Sequence, residues 1–386
     1  MRALLLLVAF LISYGSLYPF QFAAHEGSVA ELLGLLADLD IPTTRGDIVG
    51  NILLFLPYGI VGHLAAQHSP RPAFSGWVIA LLGILLAVAL QVAQVWLPAR
   101  VPAIGDAIVN TVGLAIGFAI GALAGKRLLS LGLSADTAML VPLTLLLLWL
   151  AYRWFPLVPT LDLQNVRNAV KPVFLSPQID PTRIFHTAVA WFAWFVIAGA
   201  TPLRRWPLWL LGAAALAATA LQPFFVGNQL ALNNLLGLAV ALLALPLARR
   251  PHAAALACAG LFLALLLSGI APYDFVSTPG RFEWLPFNGF LEGNMARNTL
   301  NLIEKCYLYG ALLFLLQQNG SRPGAAAFTA ALWLAVIEFL QLWVPGRTAE
   351  ITDPLLALCL AFAFARSRSA VPARRGGGST PRRRIA

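Results

Sequence analysis

The chain has 386 residues, of which 59% are hydrophobic and 11% charged, and its mean hydropathy is +0.78. Soluble domains carry about 25% charged residues. This composition therefore excludes a water-soluble fold and a soluble catalytic domain.

Apolar windows between polar residues predict an all-α polytopic transmembrane bundle of about twelve helices. The predicted spans are residues 3–20, 48–66, 76–97, 106–125, 138–156, 183–201, 206–226, 230–248, 253–272, 298–317, 324–344 and 354–365. Residues 1–24 also resemble a secretory signal peptide, which is the alternative interpretation of the first span. Between the first two spans, residues 28–39 have the periodicity of an interfacial helix.

The distribution of charge predicts that both termini are cytoplasmic. This orientation places 16 of the 26 Lys and Arg residues, but only one of the 16 Asp and Glu residues, on the inner side. Residues 367–386 are rich in Arg, Gly, Ser and Pro and predict a disordered basic cytoplasmic tail held near anionic lipid. The expected location is the bacterial inner (plasma) membrane, with membrane lipids as partners and no nucleic acid.

An internal repeat connects the two ends of the chain. Gln91, Gln94, Arg100 and Asp106 have the same spacing as Glu338, Gln341, Arg347 and Asp353, which lie 247 residues later. The same offset relates Asn51 to Asn298, so more than one helix carries the match. Residues 1–125 and 253–366 are therefore predicted to be two four-helix copies, named unit 1 and unit 3 below.

A third copy, named unit 2, is predicted over residues 138–250. Gln222, Asn228 and Asn234 keep the spacing of Gln94, Arg100 and Asp106. The chain then consists of two to three four-helix repeats, depending on whether this degenerate copy is homologous.

Two motifs resemble those of the VanZ-like family, which is a group of small bacterial membrane proteins. The first is Asp47-x3-Asn51-x3-Phe55-x-Pro57-x-Gly59, and the second runs from Gln91 through Arg100 to Asp106-x3-Asn110. The stretch Glu338-x2-Gln341-x5-Arg347-x5-Asp353 resembles the second motif again. The resemblance implies a cell-envelope role of the kind linked to resistance to the glycopeptide teicoplanin, through a mechanism that is not established for the family. Unit 1 departs from the pattern with Gln91 where glutamate is usual, and unit 3 has Leu356-Ala357 where Asn110 would fall.

The repeated polar residues form the candidate ligand-binding set. They are Asp47, Asn51, Gln91, Gln94, Arg100, Asp106, Asn110, Glu338, Gln341, Arg347 and Asp353. A carboxylate such as Glu338 within a span is costly and should have a partner, for which Arg347 is the nearest basic candidate. The alternative is structural, with Glu338, Arg347 and Asp353 clamping one hairpin, the aspartates capping helices and Asn51 and Asn110 bonding between helices.

Three functions are compatible with this pattern. The first is an outer-leaflet protein that binds a polar or lipid-linked headgroup of the envelope. The second is a transporter or flippase of an envelope precursor, and the third is an intramembrane enzyme acting on a lipid-linked substrate. No catalytic residue is assigned, and binding is favoured over catalysis. No cofactor or metal is expected, because the histidines and Cys258, Cys306 and Cys359 lack the spacing of ligands.

Overall fold

The fold is described here from a computed structural model, which covers residues 1–23, 34, 45–98, 102–130, 139–291 and 295–368. It is a helical bundle. The helices are α1 Arg2–Leu17, α2 Arg45–Gln67, α3 Pro72–Gln94, α4 Ile104–Ser130, α5 Leu140–Trp154, α6 Leu163–Leu175, α7 Pro181–Ala198, α8 Leu208–Ala220, α9 Leu232–Ala244, α10 Ala253–Ile270, α11 Asn288–Leu291, α12 Met295–Gln318, α13 Pro323–Gln341 and α14 Thr352–Arg368. Short 3₁₀ helices span Pro202–Arg205, Gln222–Phe224 and Leu245–Arg249. Two short strands, β1 (Phe282–Glu283) and β2 (Ala349–Glu350), pair in parallel.

Each of the twelve predicted spans overlaps one of these helices, which confirms the all-α polytopic fold. Within the described residues, seven helices are long and apolar enough to cross a membrane, and three shorter apolar helices span 10–17 residues. The predicted helix at 28–39 falls outside the described residues, apart from residue 34. The orientation of the termini stays a prediction.

Helix α6 was not predicted and lies within the loop between the fifth and sixth predicted spans. Asp162 caps it by accepting a hydrogen bond from the backbone nitrogen of Gln164 at 2.9 Å. The helix is too short and too polar to register as a span, which is why hydropathy missed it.

The described residues form two hydrophobic cores. Helices of unit 1 enclose a core that includes Phe55, Tyr58 and Leu90. Units 2 and 3 share one larger core, in which Trp191 on α7 and Tyr307 on α12 are fully buried. The first third of the chain therefore packs largely on itself, whereas the other two thirds form one body.

The same turn follows the first helix of each predicted unit. The backbone nitrogens of Phe20, Leu157 and Tyr273 donate to the carbonyl three residues earlier at 2.8–2.9 Å. These three residues also have positive φ angles of 63°, 64° and 70°, which non-glycine residues seldom adopt. The recurrence supports a three-copy organisation, although the boundaries of the copies stay a prediction.

Candidate functional site

A small cavity with a mixed polar and apolar lining lies at the end of unit 3 where α12 and α14 begin. Its volume is about 100 Å³. Its lining, named the unit-3 pocket below, comprises Phe287, Gly289, Asn298, Asn301, Leu302, Lys305, Glu350, Thr352 and Leu356. One wall is thus helical, and the other consists of two loops that meet at the β1–β2 pairing.

Hydrogen bonds fix the two loops to each other. The backbone nitrogen of Ile351 donates to the Glu283 carbonyl at 3.1 Å, and that of Phe287 donates to Thr352 Oγ1 at 2.7 Å. Thr352 Oγ1 in turn donates to Glu350 Oε2 at 2.6 Å. Thr352 therefore orients the Glu350 carboxylate. It also holds the loop at Phe287, which closes the pocket and is called its roof below.

Lys305 is the cation of the pocket. Its ammonium forms an ion pair with Asp353 Oδ1 at 2.6 Å, and Tyr309 donates to the other carboxylate oxygen of Asp353 at 2.6 Å. The Lys305 side chain is 37% exposed and the Asp353 side chain 10%. Since Asp353 lies behind Lys305, it orients and neutralises the amine, while the remaining N–H groups of the ammonium can reach the pocket.

Glu338 lies beneath the pocket and does not line it. The residue is 3% exposed, and Glu338 Oε2 accepts a hydrogen bond from the backbone nitrogen of Glu350 at 2.8 Å. Its carboxylate also interacts electrostatically with Asp353 and Lys305. Glu338 therefore positions the strand that carries Glu350, and the structure does not present it to a ligand.

The expected pairing of Arg347 with these carboxylates is wrong. Arg347 instead donates to the backbone carbonyls of Ala271 at 2.9 Å and Ser268 at 2.7 Å, at the carboxyl end of α10. Helix ends leave such carbonyls without intrahelical partners. Arg347 consequently caps a different helix, and the hypothesis of a Glu338–Arg347–Asp353 clamp is not supported.

Capping alone does not account for Asp353. Helix α14 begins at Thr352, and both Asp353 oxygens accept from side chains of α12. Asp106 likewise lies in the first turn of α4 and accepts from Asn51 Nδ2 at 2.9 Å. Both aspartates therefore connect two helices of their unit.

The polar residues of unit 1 are arranged like those of unit 3. Gln91 Oε1 accepts a hydrogen bond from the backbone nitrogen of Ala103 at 3.1 Å. This bond corresponds to the one between Glu338 and the backbone nitrogen of Glu350, because both positions are shifted by 247 residues. Gln94 Nε2 donates to the Ser16 carbonyl at 2.9 Å, near the end of the first helix. The corresponding residue of unit 3 is Gln341. Its side chain lies beside the end of α10, since its Nε2 is 3.5 Å from the position that a Cβ would take at Gly269.

Asn110 is 3% exposed, and its Oδ1 has no hydrogen-bond partner in the described chain. Since Asn51 and Asp106 bond to each other across α2 and α4, the prediction of interhelical bonding holds for Asn51 and not for this oxygen of Asn110. The side chain of Asp47 and all of Arg100 lie outside what the structure describes.

Unit 2 has related contacts with different residues. Asn228 Nδ2 donates to the Arg153 carbonyl at 2.6 Å, at the carboxyl end of α5, as Arg347 does at the end of α10. With the Gln222 amide oriented so that its oxygen faces Arg153, the buried guanidinium donates to that oxygen at 2.6 and 2.9 Å. Thr187 donates to Asn234 Oδ1 at 3.4 Å. Positions spaced alike in sequence thus contact equivalent helices, although unit 2 lacks the carboxylates.

Unit 1 also reaches the roof of the unit-3 pocket. Tyr14 on α1 donates to the Pro286 carbonyl at 2.7 Å, and Tyr18 donates to Asn288 Oδ1. The ring of Tyr14 lies edge-on to that of Phe287 at 6.2 Å. The first helix of the chain therefore holds the loop that closes the pocket.

Sequence reasoning missed Lys305, Tyr309, Glu350 and Asn301. Lys305 gave one usable signal, because Glu304 and Lys305 are the only charged residues within the apolar span 298–317. Glu304 faces unit 2, where its Oε1 is 3.9 Å from His186 Nδ1. Neighbouring charges on one helix thus serve two different clusters, which spacing does not reveal.

Comparison with known proteins gives one match. Residues 3–125 match the VanZ/LLP1 family profile. No curated protein and no solved structure matches the chain. The match covers α1 to α4, the part that contains the Asn51–Asp106 contact.

Proposed function

Since residues 3–125 form a VanZ-like domain of a multipass membrane protein, we propose that this protein binds a hydroxyl-bearing polar headgroup of the cell envelope in the unit-3 pocket. The headgroup belongs to a lipid or a lipid-linked precursor in the outer leaflet. The single observation that carries the proposal is the cavity at the beginning of α12 and α14, which has Lys305 and Glu350 in its lining.

The chemistry of the lining favours a sugar-like group. Lys305 offers N–H donors, Glu350 offers a carboxylate oxygen, and Asn301 offers both an amide donor and an acceptor. Each sugar hydroxyl both donates and accepts a hydrogen bond, so vicinal hydroxyls can bridge an ammonium and a carboxylate. Phe287, Leu302 and Leu356 supply apolar surface for the C–H groups of such a ring.

The position of the pocket fits a ligand anchored in a leaflet. The pocket lies at the end of the bundle where α10 and α13 finish and where α12 and α14 begin. The excess of Lys and Arg in the loops of the opposite end supports an outward-facing pocket. A headgroup held there would be less accessible to a glycopeptide antibiotic, which is how the resemblance to the VanZ-like family connects binding to resistance.

Transport and catalysis have less support. A carrier needs polar residues that continue towards the other side of the membrane, whereas the polar contacts of units 1 and 3 described here lie near one end of their helices. The enzyme hypothesis rested on Glu338 as the acid or base that reaches the substrate, and Glu338 does not line the pocket.

The test measures retention of a glucosyl diacylglycerol by the full chain in nanodiscs of phosphatidylcholine, with unglycosylated diacylglycerol as the reference. We expect wild-type protein to retain the glycolipid selectively. Glu350→Gln should weaken retention about 10- to 100-fold, because a hydrogen bond to a charged group contributes about 1.5–3 kcal/mol. Glu283→Gln is the matched control, since this carboxylate accepts from the backbone nitrogen of Leu285 at 3.1 Å and lies outside the lining.

Equal retention of both lipids by wild-type protein would refute the proposed ligand class. Equal effects of Glu350→Gln and Glu283→Gln would refute the assignment to the unit-3 pocket. Susceptibility to teicoplanin, measured with the same variants in cells, then shows whether headgroup binding underlies resistance.

A further inference from the structure

Helix α6 is held rigidly against unit 2 along one face. Asn165 Nδ2 donates to the Pro223 carbonyl at 2.9 Å, and the backbone nitrogen of Leu230 donates to the Ala169 carbonyl at 2.9 Å. Ala169 is 1% exposed. Preceding residues reinforce the attachment, because the nitrogen of Thr160 donates to the Phe224 carbonyl at 2.8 Å. The helix is therefore a fixed platform at the end of the bundle, and its opposite face is open.

The open face begins with an apolar stripe. Leu163 is 82% exposed and Phe174 is 75% exposed. Eleven residues separate them, which is close to three helical turns, so they lie on one side of α6. Burying such a side chain contributes about 1.5–3 kcal/mol. Two of them exposed together on an ordered helix, with Leu161 at 87% just before it, indicate a surface that is covered by an apolar phase.

A basic stripe runs beside the apolar one. Arg167 and Lys171 are one turn apart and both are exposed. Neither takes part in a salt bridge with any described residue. Beyond them lies a neutral polar stripe, in which Gln164 Nε2 donates to Asn168 Oδ1 at 3.0 Å.

Around α6 the order is therefore protein contact, apolar stripe, basic stripe and neutral polar stripe. The order of the apolar, basic and neutral polar stripes matches the layers of a membrane interface, where hydrocarbon is followed by phosphate and then by water. Long basic side chains beside an apolar stripe extend towards phosphates while their stems stay in contact with apolar surface. A folded protein partner would not require this ordering of layers.

We propose that α6 is an interfacial helix that binds anionic phospholipid through Arg167 and Lys171, with Leu163 and Phe174 in the hydrocarbon. The site is separate from the unit-3 pocket and does not depend on the proposed function. It also places the headgroup level of the membrane at α6, at the end of the bundle where α5 finishes and α7 begins.

The first test measures binding of phosphatidylglycerol relative to phosphatidylcholine by the full chain, using native mass spectrometry and nanodiscs that contain both lipids. Each cation near an anionic surface contributes about 1 kcal/mol. The double variant Arg167→Gln/Lys171→Gln should therefore lose about 30-fold in preference for phosphatidylglycerol at this site. The charge-retaining variant Arg167→Lys/Lys171→Arg should keep the preference, and so should Gln164→Ala/Asn168→Ala on the same helix.

A second measurement reports the depth of the helix independently of lipid type. Spin labels are attached through Phe174→Cys and Asn168→Cys in a chain whose native cysteines are replaced by alanine. We expect the label at 174 to collide mainly with oxygen and the label at 168 mainly with a water-soluble nickel chelate. Unchanged lipid preference in the double glutamine variant would overturn the proposal. Labels that are both accessible to the chelate, or both shielded as by a second copy or a protein partner, would also overturn it.

Discussion

At the scale of single residues, the ion pair of the unit-3 pocket differs from the one that spacing suggested. Glu338 and Arg347 are nine residues apart near the end of one helix, but they do not bond to each other. Glu338 accepts from the backbone nitrogen of Glu350, whereas Arg347 donates to the backbone carbonyl of Ser268. Asp353 finds its cation on α12, 48 residues away in the chain. A buried charge bonds to the partner that the packing brings within reach, which is seldom the nearest one in sequence.

A double-mutant cycle tests this assignment. Lys305→Met should lower the free energy of unfolding by about 1–3 kcal/mol, between the values for exposed and buried pairs, because it leaves Asp353 without its cation. Asp353→Asn in the same chain should recover much of that loss. Thermal unfolding in detergent measures both.

The control is the same cycle on Glu338→Gln and Arg347→Met. We expect these two losses to add, since the side chains share no partner. A coupling between Glu338 and Arg347 larger than that between Lys305 and Asp353 would restore the hairpin clamp.

At the scale of secondary-structure elements, close helix packing holds the VanZ-like domain together. A Cβ added at Gly113 on α4 would lie 2.4 Å from the Ile52 carbonyl oxygen of α2, and one at Gly117 would lie 2.3 Å from the Leu56 oxygen. Gly59 on α2 faces α4 in the same way. Small residues at these positions let the two backbones approach closely. The van der Waals contacts made at this distance favour association of the helices in lipid. Gly113 and Gly117 therefore serve close packing between α2 and α4.

Gly113→Ala should destabilise unit 1 by about 1–3 kcal/mol, the usual cost of an overpacked contact. Gly50→Ala on α2 is the matched control, because a Cβ there meets nothing within 4 Å. It should be neutral or should stabilise by about 0.5–1 kcal/mol, as alanine in a helix does relative to glycine. Chemical denaturation followed by circular dichroism compares the two, and equal effects would contradict the packing argument.

At the scale of the whole molecule, the described residues form two hydrophobic cores, and unit 1 contacts the loop that closes the unit-3 pocket. Unit 1 packs on itself, and units 2 and 3 share a continuous core. Tyr14 and Tyr18 of unit 1 nevertheless bond to the loop that closes the pocket in unit 3. The VanZ-like domain thus contributes to the shape of a site whose lining belongs to another part of the chain.

Removing both hydroxyls by Tyr14→Phe/Tyr18→Phe should loosen that loop and speed the release of the glycolipid about 10-fold, with a smaller effect on unfolding. The expected loss is about 0.5–1.5 kcal/mol for each net hydrogen bond. The matched control is Tyr58→Phe, which removes a 3.2 Å bond to the Ile79 carbonyl inside unit 1. Release that is equally fast in the control would show that the contact between units is unimportant for the pocket.

The sequence by itself determined the all-α polytopic fold, the approximate limits of the helices and the VanZ-like character of the first unit. Hydropathy and helix length suffice for these features, because a bilayer allows few alternatives to a long apolar helix. The sequence also located the ends of the helices at which polar residues gather. It singled out Glu338 and Asp353 but assigned them to Arg347, and it missed Lys305, Tyr309 and Glu350.

Only the tertiary structure decided which of these groups line the cavity and which bond to other groups of the protein and position the backbone. Asp353 and Glu338 both interact with Lys305, but Lys305 and Glu350 alone among these four charges line the pocket. That distinction depends on the rotation of α12 and on a pairing between loops about 67 residues apart, Phe282 with Ala349. Helical spacing fixes which residues share a face, but the direction of that face is set by packing between helices, which no local pattern encodes.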